Sequence, residues 1–263
     1  MSGADAPELL IDRADGVATL TLNRPDRLNA LSFSLMADLA DAVADVASDT
    51  SIACVILTGA GRGFCAGGDT KQGAARRETG EPVPHTETRI ERSTDRLRRE
   101  MEASRLLHIM PKPSIAMVNG PVAGAGIGLA GACDLRFASE TATFSSAFAR
   151  IGASGDYGSS WFWTHILGTA KAREMFLLGD KLTAAEAHAM GVYNRIYPDA
   201  DLHAEVAKIA RQLADGPRSG WRYMKANLNA ALTCSLEQSL DRESVNMVLS
   251  IGAHFAGLAK SGA

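Results

Sequence analysis

Two glycine-rich segments, each directly after a short run of apolar and β-branched residues, restrict this chain to few folds. The first, Gly59-Ala60-Gly61-Arg62-Gly63-Phe64-Cys65-Ala66-Gly67-Gly68-Asp69, follows the run Ile52 to Leu57. The second, Asn119-Gly120-Pro121-Val122-Ala123-Gly124-Ala125-Gly126-Ile127-Gly128, follows Ser114 to Val118 and leads into a helix over Gly124 to Gly131. Strand, glycine loop and helix repeated in that order specify an α/β fold with a mostly parallel sheet. Backbone N–H groups in such loops face a ligand, and at a helix start the dipole adds a preference for negative charge.

The flanking sequence fits that plan. Glu8 to Arg13 and Val17 to Leu22 form a strand pair across the turn Ala14-Asp15-Gly16. From Ser32, a good N-cap, apolar residues at Leu35, Met36, Leu39, Val43 and Val46 mark one face of a helix ending near Asp49. Ile52 to Leu57 is then a strand buried on both sides if helices cover the sheet. Leu135 to Ala138 is apolar again. Arg76 to Arg105 is highly charged, with Pro82 and Pro84 near its start and a sparse stripe of Ile90, Leu97, Met101 and Leu107, which predicts a mobile loop leading into a surface helix. After residue 157 the chain turns helical, punctuated by Gly168, Gly191 and Gly216-Pro217. Two parts are expected: an α/β core over residues 1–200 and a helical region over 201–263.

Composition excludes several function classes. With 263 residues, 46% hydrophobic, 22% charged and a net charge of -3, the chain buries a full core and offers no basic surface for nucleic acid. Cys54, Cys65, Cys133 and Cys234 form no CxxC pair, so neither a metal site nor a disulfide framework is expected. No apolar run is long enough to span a bilayer and Met1 to Pro7 is short and polar, so the expectation is a cytoplasmic protein with no membrane partner. A nucleotide-phosphate reading is disfavoured because Gly124-Ala125-Gly126-Ile127-Gly128 lacks the GxGxxG spacing and no Walker lysine follows either loop.

The pair of loops, in this order and spacing, resembles the crotonase (enoyl-CoA hydratase/isomerase) superfamily. Asn23-Arg24-Pro25 through Asn29-Ala30-Leu31 is similar to its N-terminal signature, Gly63 to Asp69 to its first oxyanion loop, and Pro111-Lys112-Pro113 through Gly120 to the approach to its second. The resemblance implies a crotonase-like ββα superhelix with a C-terminal helical trimerisation region, an acyl-CoA thioester substrate, no cofactor beyond the CoA moiety, and a homotrimer or hexamer. By position it implies oxyanion donors at the backbone N–H groups of Ala66 and Ala125. It further implies a CoA path past Arg24, Arg27, Ala66, Gly67, Asp69 and Gly124.

The family's hydratases hold water between two glutamates, and those positions here read Gly128 and Phe148. Neither transfers a proton. Asp156, in Ile151-Gly152-Ala153-Ser154-Gly155-Asp156-Tyr157-Gly158, matches instead the aspartate of the superfamily's single-aspartate isomerases; the naphthoate synthases' aspartate would fall on Gly155. Asp156 is thus the expected catalytic residue, moving a double bond by a 1,3-proton shift. Its competing local role is the N-cap of the helix through Trp161 to Leu167. Trp161, Phe162 and Phe148 are expected to surround it and to raise its pKa. The alternatives are a hydratase using Asp156 with another partner, or a non-catalytic acyl-CoA binder. His85, His108 and His165 lack a nucleophilic partner at triad spacing, Cys65 reads as packing, and Glu91 and Glu102 are candidates for a second acid. Phe255 and Lys260 do not match the family's adenine contacts cleanly, leaving that site unassigned.

Overall fold

A computed structural model describes residues 6–69 and 87–261. Pro82, Pro84, His85 and the first part of the expected mobile loop lie outside the described residues, as does the Lys260 side chain.

Strands β1 (Leu9–Ala14) and β2 (Val17–Leu22) form an antiparallel hairpin. Helix α1 (Phe33–Ser48) then leads to β3 (Cys54–Gly59). Ser32 caps α1, its Oγ accepting from the Leu35 N–H at 3.1 Å, and Leu35, Leu39, Val43 and Val46 are fully buried on one face. β3 begins two residues later than the apolar run predicts. Pairing decides this: the Ala53 N–H still donates to Gly16 O in the approach, and the parallel register with β2 runs from Val17↔Cys54 to Leu22↔Gly59.

Helices α2 (Glu87–Glu100) and α3 (Glu102–Ile109) precede β4 (Ser114–Val118). Next come β5 (Val122–Ala123), α4 (Ala125–Ala132), β6 (Leu135–Ser139) and β7 (Thr143–Ser145). Helix α5 (Ser159–Leu178) breaks its helical geometry at Gly168 and is followed by β8 (Leu182–Thr183), α6 (Ala184–Ala189) and β9 (Arg195–Tyr197). Helices α7 (Leu202–Ala214), α8 (Arg218–Ala231) and α9 (Leu236–Ser261) complete the chain. The main sheet has the order β1-β2-β3-β4-β6-β9, parallel from β2 onward, and a small sheet joins β5, β7 and β8.

The sheet is covered on both faces, and alternation along the strands assigns the layers. Val55, Leu57, Ala116 and Val118 face the cluster built with α1, α3 and α4. Cys54, Ile56, Ile115 and Met117 face Leu202, Val206 and Ala210 of α7. The continuous burial of β3 and β4 follows from these two layers.

Helix α8 is tied to the core by Lys225. Its Nζ donates to Leu107 O at 2.8 Å and Lys112 O at 3.2 Å, and meets Asp134 Oδ2 at 2.7 Å. Asp134 in turn accepts from the N–H and Oγ of Ser114 at the start of β4. Removing one partner of such a buried pair leaves a charge without compensation. Lys225→Met is expected to lower unfolding stability by about 3 kcal/mol, read from urea midpoints, with part of the loss recovered when Asp134→Asn is added.

Candidate active site

β3 and β4 are neighbours and run the same way, so the loops leaving their C-terminal ends lie side by side. Cys65 bridges Val122, the Ala123 N–H donates to Cys65 O at 2.9 Å, and the Phe64 N–H donates to Pro121 O at 3.1 Å. The loops touch at two glycines in left-handed conformations, Gly67 (φ 93°) and Gly124 (φ 54°). A Cβ on Gly67 would stand 3.1 Å from Ala123 O and 3.2 Å from Gly124 Cα. Buried Asn29 holds the first loop in shape, its Nδ2 donating to Gly63 O at 2.7 Å and Ala60 O at 3.0 Å. The two loops, Phe33 and Met36 of α1, and Phe148 with Ile151 enclose a cleft of ≈ 650 Å³.

The donors in that cleft differ from expectation at one position. The Ala66 N–H is engaged, donating to Leu28 O at 2.9 Å, and is not available as an oxyanion donor. The available group is two residues on. Leu31 bridges Gly68 in parallel fashion, with the Leu31 N–H donating to Gly67 O and the Asp69 N–H donating to Leu31 O. Bonds made by both flanking residues turn the Gly68 N–H to the opposite side, and a Cβ there would meet nothing within 4 Å. From the second loop comes the Ala125 N–H, at the first position of α4 and without an intrahelical partner. The Ala66 N–H is thus bonded within the fold, while the Gly68 and Ala125 N–H groups have no backbone partner among the described residues.

Asp156 lines the same cleft. It does not cap α5: the N-cap is Gly158, with no side-chain cap bond, and only the backbone oxygen of Asp156 accepts, from the Ser159 N–H at 2.9 Å. The residue as a whole is half-buried, yet its Oδ1 is out of reach of solvent and has no hydrogen-bond partner among the described residues. Burial pushes its carboxyl up to about 6. The apolar surroundings are only partly those predicted. Phe148 lines the cleft and stacks on Phe176, with ring centroids 5.8 Å apart. Trp161 and Phe162 instead line a separate groove with His108 and Met101, because their helical phase turns them away from the cleft.

Of the predicted CoA-path residues, Arg27, Ala66, Gly67, Asp69 and Gly124 line the cleft and Arg24 does not. Arg24 is half-buried and bonded internally, its Nε 2.8 Å from Glu8 Oε1, its Nη2 3.0 Å from Asp69 Oδ2, with Nη1 donating to Ala30 O. It clamps β1 to the first glycine loop. Arg62, which sequence reasoning passed over within its loop, joins Arg27 on the cleft wall, and both are exposed. Its signal was a lone cation among glycines.

The other candidates fall away from the cleft. His108 packs against Trp161 and Phe162, and burial lowers its pKa. His165 is exposed, with Nδ1 2.8 Å from Trp161 O. Burial pushes the Cys65 thiol up to about 12, which suits packing rather than nucleophilic attack. Glu91 is exposed, and Glu102 pairs with Arg98 and Arg105 on the helix surface. Among the described residues no cluster of His, Cys, Asp and Glu is placed to hold a metal, and no helix is long and apolar enough to cross a membrane.

Comparison with known proteins places this arrangement. The family model described as enoyl-CoA hydratase/isomerase matches residues 12–254. The chain is 39% identical over 228 residues to 1,2-epoxyphenylacetyl-CoA isomerase of Escherichia coli, spanning 87% of this chain and 84% of that one. It is 34% identical over 260 residues to 4-chlorobenzoyl coenzyme A dehalogenase-2 of an Arthrobacter species, spanning 97% and 90%. The crystal structure of an enoyl-CoA hydratase from a Polaromonas species superimposes with a TM-score of 0.85 at 28% identity, covering 96% of this chain and 95% of that one.

The raised Asp156 pKa has a consequence for stability. A carboxyl raised by folding favours the protonated state, so its contribution is most favourable below the ordinary carboxylate range and is lost as pH rises through about 6. Asp156→Asn removes that penalty. The variant is expected to be more stable than the parent at pH 8 by about 1–2 kcal/mol, after discounting for a half-exposed group, with the difference vanishing near pH 4. Thermal melts at the two pH values check this.

Proposed function

The chain belongs to the enoyl-CoA hydratase/isomerase family and has its crotonase fold, and from that premise we propose that it moves a double bond along an enoyl-CoA thioester by a 1,3-proton shift. The observation that carries this reading is the pairing of one dry carboxyl with two free backbone donors. Among the described residues three carboxylates line the cleft: Asp26 is exposed, Asp69 is paired with Arg24, and Asp156 is desolvated with a pKa of about 6.

In the proposed reaction the ionised Asp156 takes a proton from the acyl chain. The electron pair moves through the conjugated system onto the thioester oxygen, and the Gly68 and Ala125 N–H groups stabilise the resulting dienolate. The carboxylic acid then returns the proton to a carbon two positions away as the thioester carbonyl re-forms. One base suffices, and a value near 6 keeps it ionised at neutral pH while leaving it basic enough to act. Glycine at 128 and phenylalanine at 148 leave the family's two-glutamate water site without its acid/base groups, which favours isomerisation over hydration.

Arg27 and Arg62 at the cleft wall supply positive charge for the CoA phosphates, and no cofactor beyond CoA is needed. Assembly belongs to the same reading. Leu228, Leu236, Val248 and Phe255 stand exposed on α8 and α9, an apolar surface of the kind that a homotrimer or hexamer covers.

The test is incubation with 3-enoyl- and 2-enoyl-CoA thioesters in deuterated water, followed by mass spectrometry. Double-bond migration with deuterium uptake is expected, lowered about 10²- to 10⁴-fold in Asp156→Asn, with kcat/KM falling below about pH 6. A product heavier by one water would make the protein a hydratase, and binding without turnover of either thioester would make it an acyl-CoA binder.

A further inference from the structure

The segment from Arg24 to Leu31 holds the first glycine loop in register, and its own backbone is strained. Leu28 O accepts from the Ala66 N–H at 2.9 Å, the Leu31 N–H donates to Gly67 O at 2.8 Å, and the Asp69 N–H donates to Leu31 O at 3.0 Å. Between these contacts Leu28 and Asn29 have consecutive left-handed backbones, with φ 49° and 56°. Asparagine visits that region readily, but leucine does so only where its surroundings impose it. A slip of one residue along this pairing would exchange the N–H that faces the ligand.

Arg24 supplies the imposing contacts. Its backbone oxygen accepts from the Arg27 and Asn29 N–H groups, each at 2.9 Å, and its own N–H donates to Asn29 Oδ1 at 2.8 Å, which closes the chain around the strained pair. The guanidinium then ties both sides of the Leu31–Gly68 bridge. Nη1 donates to Ala30 O, just before Leu31, and Nη2 donates to Asp69 Oδ2 at 3.0 Å, just after Gly68. Nε lies 2.8 Å from Glu8 Oε1, and the other Glu8 oxygen accepts from Ser32 and from Ser34 at the start of α1. The Arg24 and Asp69 side chains are 17% and 10% exposed, so water screens their pairing little. A planar fork of donors meets these acceptors together, whereas a lysine ammonium is a single point charge.

We propose that Arg24 is a positioning residue for the oxyanion site: by joining Ala30 to Asp69 across the bridge, its guanidinium fixes the direction of the Gly68 N–H and so how strongly that group stabilises a negative thioester oxygen. Arg24 does not line the cleft, and it acts through the backbone of the glycine loop. The inference rests on the Gly68 and Ala125 N–H groups as the donors. A donor fixed in advance counts most where charge develops, so loosening it slows the chemical step more than it weakens substrate binding.

Two measurements on Arg24→Met and Arg24→Lys beside the parent test it. The first is the infrared carbonyl band of bound butyryl-CoA, isotopically labelled at the thioester carbon and without a double bond to move. Hydrogen-bond donors on the oxygen lower that frequency. The parent's band is expected below that of the free thioester in water, with most of the shift lost in Arg24→Met and part of it in Arg24→Lys. The second is steady-state isomerisation of a 3-enoyl-CoA, with Asp156→Asn measured alongside. Arg24→Met should lower kcat about 10- to 100-fold, less than deletion of a donor would, with KM within about threefold. If Arg24→Met does not fold, Arg24→Lys decides the matter. A folded Arg24 variant with the parent's band and kcat, beside an inactive Asp156→Asn, would overturn this inference and leave the proposed reaction standing. Loss of the band shift in the variants of a parent that moves no double bond would support the role of Arg24 and overturn the reaction. A parent band equal to that of the free thioester would overturn the donor assignment and this inference with it.

Discussion

The close approach of two backbones, Gly67 against Gly124, is the constraint on which the rest of the site depends. Because β3 and β4 are adjacent and parallel, their exit loops meet, and the hydrogen bonds between Cys65 and Ala123 and between Phe64 and Pro121 zip them together. A Cβ on Gly67 would press on the backbone of Ala123 to Ala125, and both glycines hold positive φ angles that side chains rarely adopt. With the loops in contact, one donor comes from the last stretch of the first loop and the other from the first turn of α4. They come from different secondary elements, and the parallel sheet fixes their relation.

Local chemistry was legible in the sequence wherever neighbours along the chain settle it. Ser32 followed by its apolar stripe read correctly as a capped amphipathic helix, and the glycine loops after β3 and β4 read correctly as strand exits. What stayed hidden depended on pairing between distant segments. Whether Ala66 or Gly68 presents its N–H is set by the register of the first loop against Leu28 and Leu31, more than thirty residues away. The internal bonding of Arg24 likewise depends on Glu8 and Asp69, which no local pattern brings together. Trp161 and Phe162 were assigned to the aspartate by proximity in sequence, and helical phase sends them to another groove.

Charge within the cleft is graded by solvation. Arg27, Arg62 and Asp26 lie exposed on its wall, where water screens them, and Asp69 is neutralised by the Arg24 clamp one layer in. Asp156, deeper in the cleft wall, carries a carboxyl raised by desolvation. Such a gradient suits a ligand with an anionic end and an apolar end: the charged part meets screened cations, and the apolar part displaces water from around a carboxyl whose proton affinity burial has raised.

Seen in this light, Gly128 and Phe148 are more than lost glutamates. A glutamate at 148 would bring a carboxylate and its hydration shell to the place where Phe148 now stacks on Phe176. One at 128 would collide with Tyr157, whose Cβ lies within 2.7 Å of the position its own Cβ would take. Both residues therefore remove water and formal charge from the neighbourhood of Asp156, and burial is the cause of its raised pKa. The same two positions that withdraw a two-carboxylate water site thus produce the dry surroundings in which a single carboxyl works as a base.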